Sequence, residues 1–550
     1  METKSPVQPP PCKKACPVHL NIPRYIRAIS AGKFEEALSV IREKLPFPSV
    51  CGRICFHPCE DACNANHLLD KGPIAINALK RFVSERLEIV SKEPPPAEST
   101  GKTVSVVGSG PAGLTAAYYL RMLGHGAVVF EMLSEPGGMV RFGIPEYRLP
   151  KDILFQEISR IQKCGVEIRL NSKIARPADL LQKGYDAVFL AIGAHRMLEI
   201  GIEGEALPGV WDCINLMRDI NVGNKVSLGE KVVVIGGGNA AIDAARSALR
   251  LGSKESIILY RRSLEEMPAA KHEVQEALTE GVKIKFQTFP TRIESQNGKL
   301  KIHCIQTRLD DPDEGGRRRP VPILNTESET TADSIISAIG QVPDIPTGFG
   351  VDTTQGKLFC RDLVSLETNQ RGIFAGGDAV TGPSSFIEAI AAGRQAAISI
   401  DKYLGGSGEI DINPIRPEEK VVQTELQGFP VNDRIRMATE PIDGRLKDFS
   451  SVELGFDEEQ AINEAKRCLQ CDLPITINAK ECTGCLTCVM RCSLRFDKSF
   501  SPAASKISVV PYADEKVNEI FFSTDCDTCG ICARYCPHDA LYRGIKTETK

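Results

Sequence analysis

The sequence predicts an α/β protein, and two observations predict it. The stretches Lys102–Glu131 and Glu230–Ser263 each read as strand, glycine-rich turn, helix and strand, which is the order of a Rossmann-like dinucleotide-binding unit. Sixteen of the 20 cysteines are clustered towards the two ends of the 550-residue chain. We therefore expect two nucleotide-binding domains between an α-helical N-terminal metal domain and a smaller α+β C-terminal domain.

The composition is that of an ordinary globular protein with several domains: 42% of the residues are hydrophobic, 25% are charged and the net charge is −4. This weak charge gives no electrostatic case for nucleic-acid binding. No apolar run approaches the roughly 18 residues of a membrane span, and residues 1–17 lack the apolar core of a signal peptide. We expect a cytoplasmic protein, whose reduced thiols are metal ligands rather than disulfides. Isolated cysteines without a role are Cys164, Cys213, Cys304 and Cys360.

The N-terminal end carries six clustered cysteines. After a flexible, proline-rich lead over residues 1–11, two precede a helical stretch near Ile22–Lys44 and four follow it. Pro58 favours a looped ligand cage over a single helical face. Two further ligands are needed for a pair of four-thiolate clusters, and the C-x2-C pair far downstream is the candidate. These residues are Cys12, Cys16, Cys51, Cys55, Cys59, Cys63, Cys468 and Cys471.

The first glycine turn follows the apolar run Val104–Val107, as a buried parallel strand would. In its G-x-G-x-x-G pattern the first glycine permits the turn, the second lets the backbone approach a pyrophosphate, and the third lets helix and strand pack closely. The free N–H groups of the helix start face the phosphates. Glu131, 18 residues after Gly113, is placed to accept hydrogen bonds from a ribose 2′-OH. This pattern by itself admits FAD or NAD.

Two later stretches are expected to complete this nucleotide site. Gly137 and Gly138 permit close approach to a flat ligand, and Arg148 is the best placed cation for a flavin or its phosphates. The buried strand in 185–193 ends in a glycine turn beneath the nucleotide. Much later, 372–404 reads as strand, Gly-Gly-Asp turn and helix. Asp378 there is placed to accept from ribityl hydroxyls, and the helix start near Ser385 faces the flavin or its pyrophosphate.

The second glycine turn, Gly236 to Ala241, has the G-x-G-x-x-A variant. Its second strand ends not in an acid but in Arg261 and Arg262, and an arginine pair suits a 2′-phosphate. We therefore expect NADP(H) rather than NAD(H) here, and FAD at the Glu131 site. The strand–glycine pattern in 333–341 indicates that the chain returns to the first domain. The basic run at 317–320 is interpreted as a solvated turn.

The C-terminal end contains C-x2-C-x2-C-x3-C twice, the pattern of bacterial two-cluster ferredoxins. Three thiolates of each run hold one [4Fe–4S] cube and the fourth binds the other cube. Structural zinc is the alternative, but it prefers two separated C-x2-C pairs. The 33 residues between the runs predict an extra hairpin, and Ser493 replaces the usual proline after the first run. The expected ligand sets are Cys482, Cys485, Cys488 and Cys536, and Cys492, Cys526, Cys529 and Cys532.

Residues 12–404 resemble the small (beta) subunit of glutamate synthase and the matching modules of dihydropyrimidine dehydrogenase and NADH-dependent ferredoxin:NADP oxidoreductase. The resemblance is carried by CPVHLNIPRYI, PSVCGRICFHPCEDAC, PIAINALKRF, GSGPAGL, GIPEYRLP, GGGNAAID with YRRS, and GIFAGGDAVTGPS. In that family R-C-x2-C opens the N-terminal cluster domain, whereas here it stands at 467–471. The module thus resembles a circular rearrangement.

The resemblance implies the ligands of two N-terminal clusters: Cys12, Cys63, Cys468 and Cys471 for one, and Cys16, Cys51, Cys55 and Cys59 for the other. Dihydropyrimidine dehydrogenase uses a glutamine as one ligand of its equivalent second cluster. The aligned residue here is Lys80, which cannot serve, so Cys51 is expected as the fourth ligand.

The complete sets of nucleotide-site residues that we expect are the following. For FAD they are Gly108, Gly110, Pro111, Ala112, Gly113, Glu131, Gly138, Met139, Arg148, Gly377, Asp378 and Ser385. For NADP(H) they are Gly236, Gly238, Asn239, Ala240, Arg261 and Arg262, and the resemblance implies the turn of Ala338, Ile339 and Gly340 as well.

The expected domains follow from these motifs and from the linker at 93–100. They are an iron–sulfur domain (1–95), a first FAD-binding segment (96–229), an NAD(P)H-binding domain (230–330), a second FAD-binding segment (331–405), a strap that returns two cysteines to the N-terminal clusters (406–475), and a 2[4Fe–4S] ferredoxin domain (476–550).

The expected function is an NAD(P)H:acceptor oxidoreductase with one FAD and four [4Fe–4S] clusters. Because nicotinamide gives two electrons as hydride and a cluster takes one at a time, a flavin is the required converter. No catalytic side chain is expected. The electron partner is soluble ferredoxin or another redox subunit of a hetero-oligomeric complex. Two alternatives stay open: a flavin-based electron-bifurcating subunit, and a non-catalytic electron relay.

Overall fold

The computed structural model describes residues 3–4, 8–68, 71–87, 94–312, 316–411, 433–511 and 517–543. The chain forms two compact units. Unit 1 comprises residues 1–92, 411–438 and 455–550, and unit 2 comprises residues 93–410 and 439–454. Both cysteine-rich ends therefore belong to unit 1 and both glycine turns to unit 2. None of the described helices is long and apolar enough to cross a bilayer.

The N-terminal region of unit 1 consists of short helices. Several of them begin with proline in the first turn, where its missing N–H is no loss. The predicted helical stretch near 22–44 is two helices, because Gly32 takes a left-handed φ of 72° between them. The elements are β1 (Thr3–Lys4), α1 (Pro11–Ala15), α2 (Ile22–Ser30), α3 (Phe34–Arg42), α4 (Pro48–Ile54), α5 (Pro58–Asp61), α6 (Asn64–Leu68) and α7 (Ile76–Leu87).

Unit 2 starts with the predicted strand, helix and strand, which join a five-stranded parallel sheet of order β19-β5-β2-β3-β4. The apolar side chains of β2 and β5 are buried in it, as expected for central parallel strands. Its elements are β2 (Thr103–Val107), α8 (Pro111–Met122), β3 (Gly126–Phe130), α9 (Met139–Phe142), α10 (Lys151–Lys163), β4 (Glu167–Arg169), α11 (Ala178–Gln182), β5 (Ala187–Leu190), β6 (Arg196–Met197) and β19 (Ile373–Ala375).

A second five-stranded parallel sheet, of order β10-β9-β8-β15-β7, carries the second glycine turn. An antiparallel sheet, in which β12 pairs with β11, β13 and β14, lies between β10 and β15 in the chain. The elements are β7 (Val210–Asp212), α12 (Cys213–Asn221), β8 (Lys231–Ile235), α13 (Asn239–Arg250), β9 (Glu255–Leu259), α14 (Lys271–Thr279), β10 (Lys283–Lys285), β11 (Thr288–Gln296), β12 (Lys299–Pro312), β13 (Arg318–Pro322), β14 (Ser328–Ala332) and β15 (Ser334–Ser337).

The expected boundary at residue 330 needs correction. Strand β15 pairs with β8 and with β7, so the chain completes the second sheet before it returns to the first. The rest of unit 2 consists of β16 (Gln341–Val342), a 3-10 turn (Thr347–Phe349), β17 (Thr353–Thr354), β18 (Lys357–Leu358), α15 (Asp378–Thr381), α16 (Phe386–Tyr403), β20 (Ala438–Thr439), α17 (Ile442–Arg445) and β21 (Glu453–Gly455). The first residue of β20, Ala438, and the last residue of β21, Gly455, are counted with unit 1.

The C-terminal region of unit 1 contains the predicted extra hairpin, β23 paired with β24. Strand β22 pairs with β25 and also with β1, so Thr3 and Lys4 are a sheet strand where the sequence predicts a flexible lead. Of the expected strap, residues 412–432 lie outside the described residues. The elements are α18 (Glu458–Ala465), β22 (Ile475–Ile477), α19 (Thr487–Asp497), β23 (Ile507–Val510), β24 (Glu519–Phe522), α20 (Ile531–Arg534) and β25 (Leu541–Arg543), with 3-10 turns at Ala479–Glu481 and Pro502–Ala504.

Candidate functional site

The first glycine turn is fixed by a close backbone approach. Gly108 has φ +105°, and a Cβ on it would lie 2.4 Å from the carbonyl oxygen of Ala191 at the end of β5. A Cβ on Gly113 would lie 2.1 Å from the oxygen of Gly108. The space next to Gly110 is open, and no side chain in the described part of the chain caps α8. The first amides of α8 therefore face open space, as an anionic pyrophosphate requires.

This turn opens into a cleft of about 1080 Å³ within unit 2. Its walls come from the carboxyl ends of β2 and β3, from the loop after β5 and from the turn after β19, which is where an open α/β sheet binds its ligand. The expected FAD residues that line the cleft are Gly108, Gly110, Pro111, Ala112, Glu131, Gly138, Met139, Gly377 and Asp378.

Three expected FAD residues do not line the cleft. Gly113 lies inside the packing of α8 against β2. Ser385 is the N-cap of α16, where it forms a capping box with Glu388. Arg148 forms ion pairs with Asp243 at 2.8 Å and with Glu273 at 2.9 Å. Its contact with FAD stays a prediction, and the described partners of its guanidinium are these two carboxylates.

Two carboxylates line the cleft, the buried Glu131 and the half-buried Asp378. Glu131 accepts from the backbone N–H of Ser109 at 3.0 Å and of Leu133 at 2.9 Å. Oε2 also accepts from the Ser109 hydroxyl, so Oε1 is the oxygen that keeps a further lone pair for a ribose hydroxyl. Burial raises the pKa of Asp378, which accepts from the Ser384 hydroxyl at 2.9 Å. Both side chains therefore suit a ligand rich in hydroxyl groups.

His195 also lines the cleft, and the sequence did not single it out. Its Nδ1 is buried and has no hydrogen-bond partner among the described residues. Burial lowers its pKa, so the imidazole is neutral near pH 7. A buried polar atom without a partner fits a site whose ligand supplies that partner. A lone histidine two residues after a strand–glycine turn offered no pattern from which to predict this.

The second glycine turn repeats the geometry of the first. A Cβ on Gly236 would lie 2.2 Å from the carbonyl oxygen of Ala338, which follows β15. The space next to Gly238 is open, and none of the described side chains caps α13. The turn is held from the other side by Asn239, whose Oδ1 accepts from the N–H of Ala270 at 3.0 Å. Of the expected set, Ala240 lies in the first turn of α13, and Ile339 and Gly340 follow Ala338.

The two arginines after β9 lie in different environments. Arg261 is exposed, whereas Arg262 is only 5% exposed and donates from Nε to the carbonyl oxygen of Arg318 at 2.8 Å. Arg318 pairs in turn with Glu266. The basic run at 317–320 therefore packs beside the arginine pair, and Arg261 is the member of that pair that faces solvent.

In unit 1 the structure brings together four cysteines that are distant in sequence, here named the Cys471 group: Cys12, Cys63, Cys468 and Cys471. Burial and the neighbouring thiolates raise the pKa of the Cys12 thiol well above its usual value. Such crowded thiols repel one another when ionised, and bound iron would remove that repulsion. The Asn64 amide donates to the sulfur of Cys471 at 3.5 Å.

The other N-terminal cysteines, here named the Cys51 group (Cys16, Cys51, Cys55 and Cys59), also lie close together. A hydrogen bond with Cys51 lowers the pKa of Cys55 to about 6. Lys80 donates from Nζ to the sulfur of Cys51 at 3.0 Å. Burial alone would lower the pKa of Lys80, but the neighbouring thiolates outweigh it and raise that pKa.

The two predicted sets of ferredoxin cysteines are here named by Cys482 and Cys492, and their role as cluster ligands stays a prediction. The Cys482 group (Cys482, Cys485, Cys488 and Cys536) lines a cavity of about 310 Å³. In the Cys492 group (Cys492, Cys526, Cys529 and Cys532), Cys492 accepts from the N–H of Lys506 at 3.2 Å. Within the described residues, no three His, Cys, Asp or Glu side chains converge on a single ion. A cluster needs no such convergence, since each of its irons takes one thiolate.

A hydrogen-bonded bridge joins the Cys471 group to the Cys492 group. Asn64, which donates to Cys471, accepts at Oδ1 from Arg495 at 3.0 Å. Arg495 also pairs with Asp527, which stands between Cys526 and Cys529. A second link is the hydroxyl of Thr528, which donates to the carbonyl oxygen of Cys471 at 2.8 Å. The N-terminal and ferredoxin cysteines are therefore packed as one body of protein.

Comparison with known proteins follows the same division. The family model described as pyridine nucleotide-disulphide oxidoreductase matches residues 102–393. Models described as dihydropyrimidine dehydrogenase domain II, 4Fe-4S cluster, and as 4Fe-4S binding domain match residues 6–90 and 520–542.

Three similar relatives are the following. The chain is 40% identical to the NADP(+)-dependent formate dehydrogenase subunit beta of Moorella thermoacetica, over 85% of this chain and 71% of the relative. It is 38% identical to the NADPH-Fe(3+) oxidoreductase subunit beta of Geobacter sulfurreducens, over 84% and 75%. It is 34% identical to the glutamate synthase [NADPH] small chain of Escherichia coli, over 72% and 89%.

Proposed function

The chain belongs to the pyridine nucleotide-disulphide oxidoreductase family and carries 4Fe–4S domains at both ends, and from this we propose that it is the NADPH-oxidising or NADP-reducing subunit of a larger redox complex. It carries one FAD and four [4Fe–4S] clusters, bound by the Cys51, Cys471, Cys492 and Cys482 groups. The observation that carries the proposal is that one chain holds two open glycine turns and four sets of neighbouring cysteines.

The residues of unit 2 bind and orient the two nucleotides. The uncapped start of α8, with Glu131 and Asp378, holds FAD, and the uncapped start of α13 holds the pyrophosphate of NADP(H). Exposed Arg261 pairs with the 2′-phosphate, while buried Arg262 supports the turn. FAD, when bound, exchanges two electrons with nicotinamide and single electrons with iron–sulfur clusters.

Electrons enter or leave unit 1 through the N-terminal groups and pass to the ferredoxin groups and then to a partner. The bridge through Asn64 and Arg495 supports the order Cys471 group, then Cys492 group. The three relatives are subunits or small chains by name, which supports a partner that carries the terminal substrate. Because all four groups need reduced thiols, we propose a cytoplasmic location.

Stopped-flow mixing of the whole protein with NADPH or NADH tests the proposal. We expect NADPH to bleach the flavin absorbance much faster than NADH does. A chain that bleaches with neither is a relay only, and the enzyme proposal fails. Iron analysis tests the cluster count, for which about sixteen irons per chain are expected from four cubes.

Arg261→Ala tests the choice of nucleotide. The exposed side chain is replaced without disturbing the buried Arg262, so the fold is retained. We expect a loss of about tenfold or more in NADPH affinity and little change for NADH, since one charge-assisted contact to phosphate is lost. Arg319→Ala, which removes another exposed arginine, is the control. Equal losses for both nucleotides would contradict a contact with the 2′-phosphate.

A further inference from the structure

Lys80 is a buried lysine in the core of the N-terminal module. It lies on α7, is 6% exposed, and places its Nζ 3.0 Å from the sulfur of Cys51 on α4. The two helices approach closely at Gly52, where a Cβ would lie 2.8 Å from the Cα of Arg81. Gly52 and Lys80 therefore bring a fixed ammonium group against the Cys51 group.

This ammonium group has no carboxylate partner among the described residues. Two acids of this module have other partners: Glu60 is engaged by Arg434 at 2.6 Å and by the N–H of Asn77 at 2.8 Å, and Glu85 pairs with Arg53 and Arg81. An unpaired ammonium in a protein interior is costly. The thiolates of the Cys51 group are then the counter-ions of the Lys80 ammonium group. A cluster bound by these thiolates would therefore lie next to a positive charge.

Arg495, the basic residue of the bridge between the Cys471 and Cys492 groups, differs from Lys80 because it has a carboxylate partner. Arg495 forms a bidentate pair with Asp527, so its charge is largely neutralised where it stands. Lys80 keeps its whole charge for the sulfur ligands, and its N–H bonds point at one of them.

Resting on the cluster assignment proposed above, we propose that Lys80 is the potential-setting cation of the Cys51 cluster and raises its reduction potential. One-electron reduction would add a negative charge to the thiolate-bound irons and break no bond. Oxidation of NADPH to NADP+ and a proton at unit 2 supplies two electrons through FAD, one for this cluster and one for another cluster of unit 1. An adjacent cation and an N–H···S bond stabilise the more negative state. Lys80 is thus a positioning residue, and its charge makes this cluster easier to reduce.

The test compares Lys80→Met with Lys80→Arg in the whole, cluster-loaded protein. Potentials are measured by an EPR-monitored redox titration at fixed pH, with iron counted on the same samples. Lys80→Met keeps the length of the side chain and removes its charge. We expect the reduction equilibrium constant of one cluster to fall at least tenfold, which is about 59 mV for one electron. Lys80→Arg should keep the potential, and Lys33→Met, which removes an exposed charge of the same module, should leave it unchanged.

The outcomes separate this proposal from the one on which it rests. An unchanged potential in Lys80→Met with full iron overturns the role of Lys80. If both Lys80→Met and Lys80→Gln lose about four irons while Lys80→Arg keeps them, Lys80 holds the cluster rather than sets its potential, and the proposal is overturned. About twelve irons in the unchanged protein, with flavin still bleached by NADPH, would instead contradict the count of four clusters.

Discussion

Arg148 Nη1 donates to Asp243 Oδ2 at 2.8 Å. Arg148 stands between α9 and α10, and Asp243 lies on α13, so this bond ties the segment after the first glycine turn to the helix of the second. Tyr147 supports it, because its ring lies under Arg250 at 3.9 Å and its hydroxyl contacts Asp243 at 3.3 Å. The residue that the sequence assigned to FAD is, in the structure, a member of a buried ion network that joins the two nucleotide-binding halves.

Arg148→Met is therefore expected to destabilise unit 2. It leaves Asp243 and Glu273 buried without this partner, which costs about 3–5 kcal/mol. A double-mutant cycle with Asp243→Asn, followed by urea unfolding, measures the coupling: the double variant should lose less than the two single losses added. Tyr185→Phe is a neutral control. Flavin lost from a variant whose stability is unchanged would instead favour the predicted contact with FAD.

Glu280 makes the stability of this network depend on pH. Burial alone would raise its pKa, but the guanidinium groups of Arg250 and Arg246 outweigh burial and lower that pKa from 4.5 to about 2. A lowered pKa means that the ionised form stabilises the fold. That contribution is complete above pH 4.5 and is lost as the pH falls through about 2.

Glu280→Gln should lower the free energy of unfolding by about 3–5 kcal/mol at pH 7, because two buried arginines lose their carboxylate. Fluorescence of Trp211, the single tryptophan of the chain, follows the unfolding of unit 2 in urea. The difference from the unchanged protein should shrink as the pH falls below 4.5. Glu255→Gln, at a half-buried carboxylate whose partner Lys283 is exposed, should show a much smaller loss. A difference for Glu280→Gln that grows towards acid pH would contradict the assignment.

The two open glycines give a matched pair of variants. Gly110 and Gly238 have φ of −69° and −87°, which any residue adopts, and an added Cβ meets no atom of the described residues within 4 Å. Gly110→Ala should fold but lose at least tenfold in FAD affinity, since its methyl group fills the path of the pyrophosphate. Gly238→Ala should keep one flavin per chain and lose affinity for NADPH alone.

Flavin absorbance per chain and titration with NADPH distinguish the two. A variant that loses both nucleotides would mean that the turns are not separate sites. Gly252→Ala cannot serve as the control, because Gly252 has φ +94° and an alanine there would strain the backbone. Ala248→Gly is the control, because it changes α13 without changing the glycine turn.

Asn64→Ala tests the bridge between the Cys471 and Cys492 groups. It removes the hydrogen bond from the side-chain amide to the sulfur of Cys471, and it removes one hydrogen-bond partner of Arg495. Arg495 keeps its ion pair with Asp527, so the ferredoxin fold is retained. We expect normal flavin reduction by NADPH and a several-fold slower reduction of the ferredoxin clusters, followed by rapid freezing and EPR. Asn66→Ala, on the same helix but exposed, should leave both steps unchanged. Unchanged transfer in Asn64→Ala would show that the bridge has no role in it.

The sequence alone predicted the fold class, the family resemblance and the cofactor classes, and the family comparisons confirm these. This was possible because the features involved are local. A glycine turn needs glycine at fixed positions of one strand–turn–helix, and a ferredoxin run needs four cysteines within eleven residues. Both patterns are readable without knowing what packs against them.

Tertiary structure decided what depends on partners distant in the chain. Packing between elements whose contacts the sequence does not specify determines three features. They are the pairing of Arg148 with Asp243, the burial of Arg262 beside Arg261, and the place of β15 in the second sheet. The ammonium of Lys80 reaches Cys51 because Gly52 lets two helices approach, 29 residues apart in the chain. The sequence determines which side chains are charged, but the fold determines which counter-ion each one contacts. The reason is that an unpaired buried charge is costly, so the stable fold is one in which buried charges have partners.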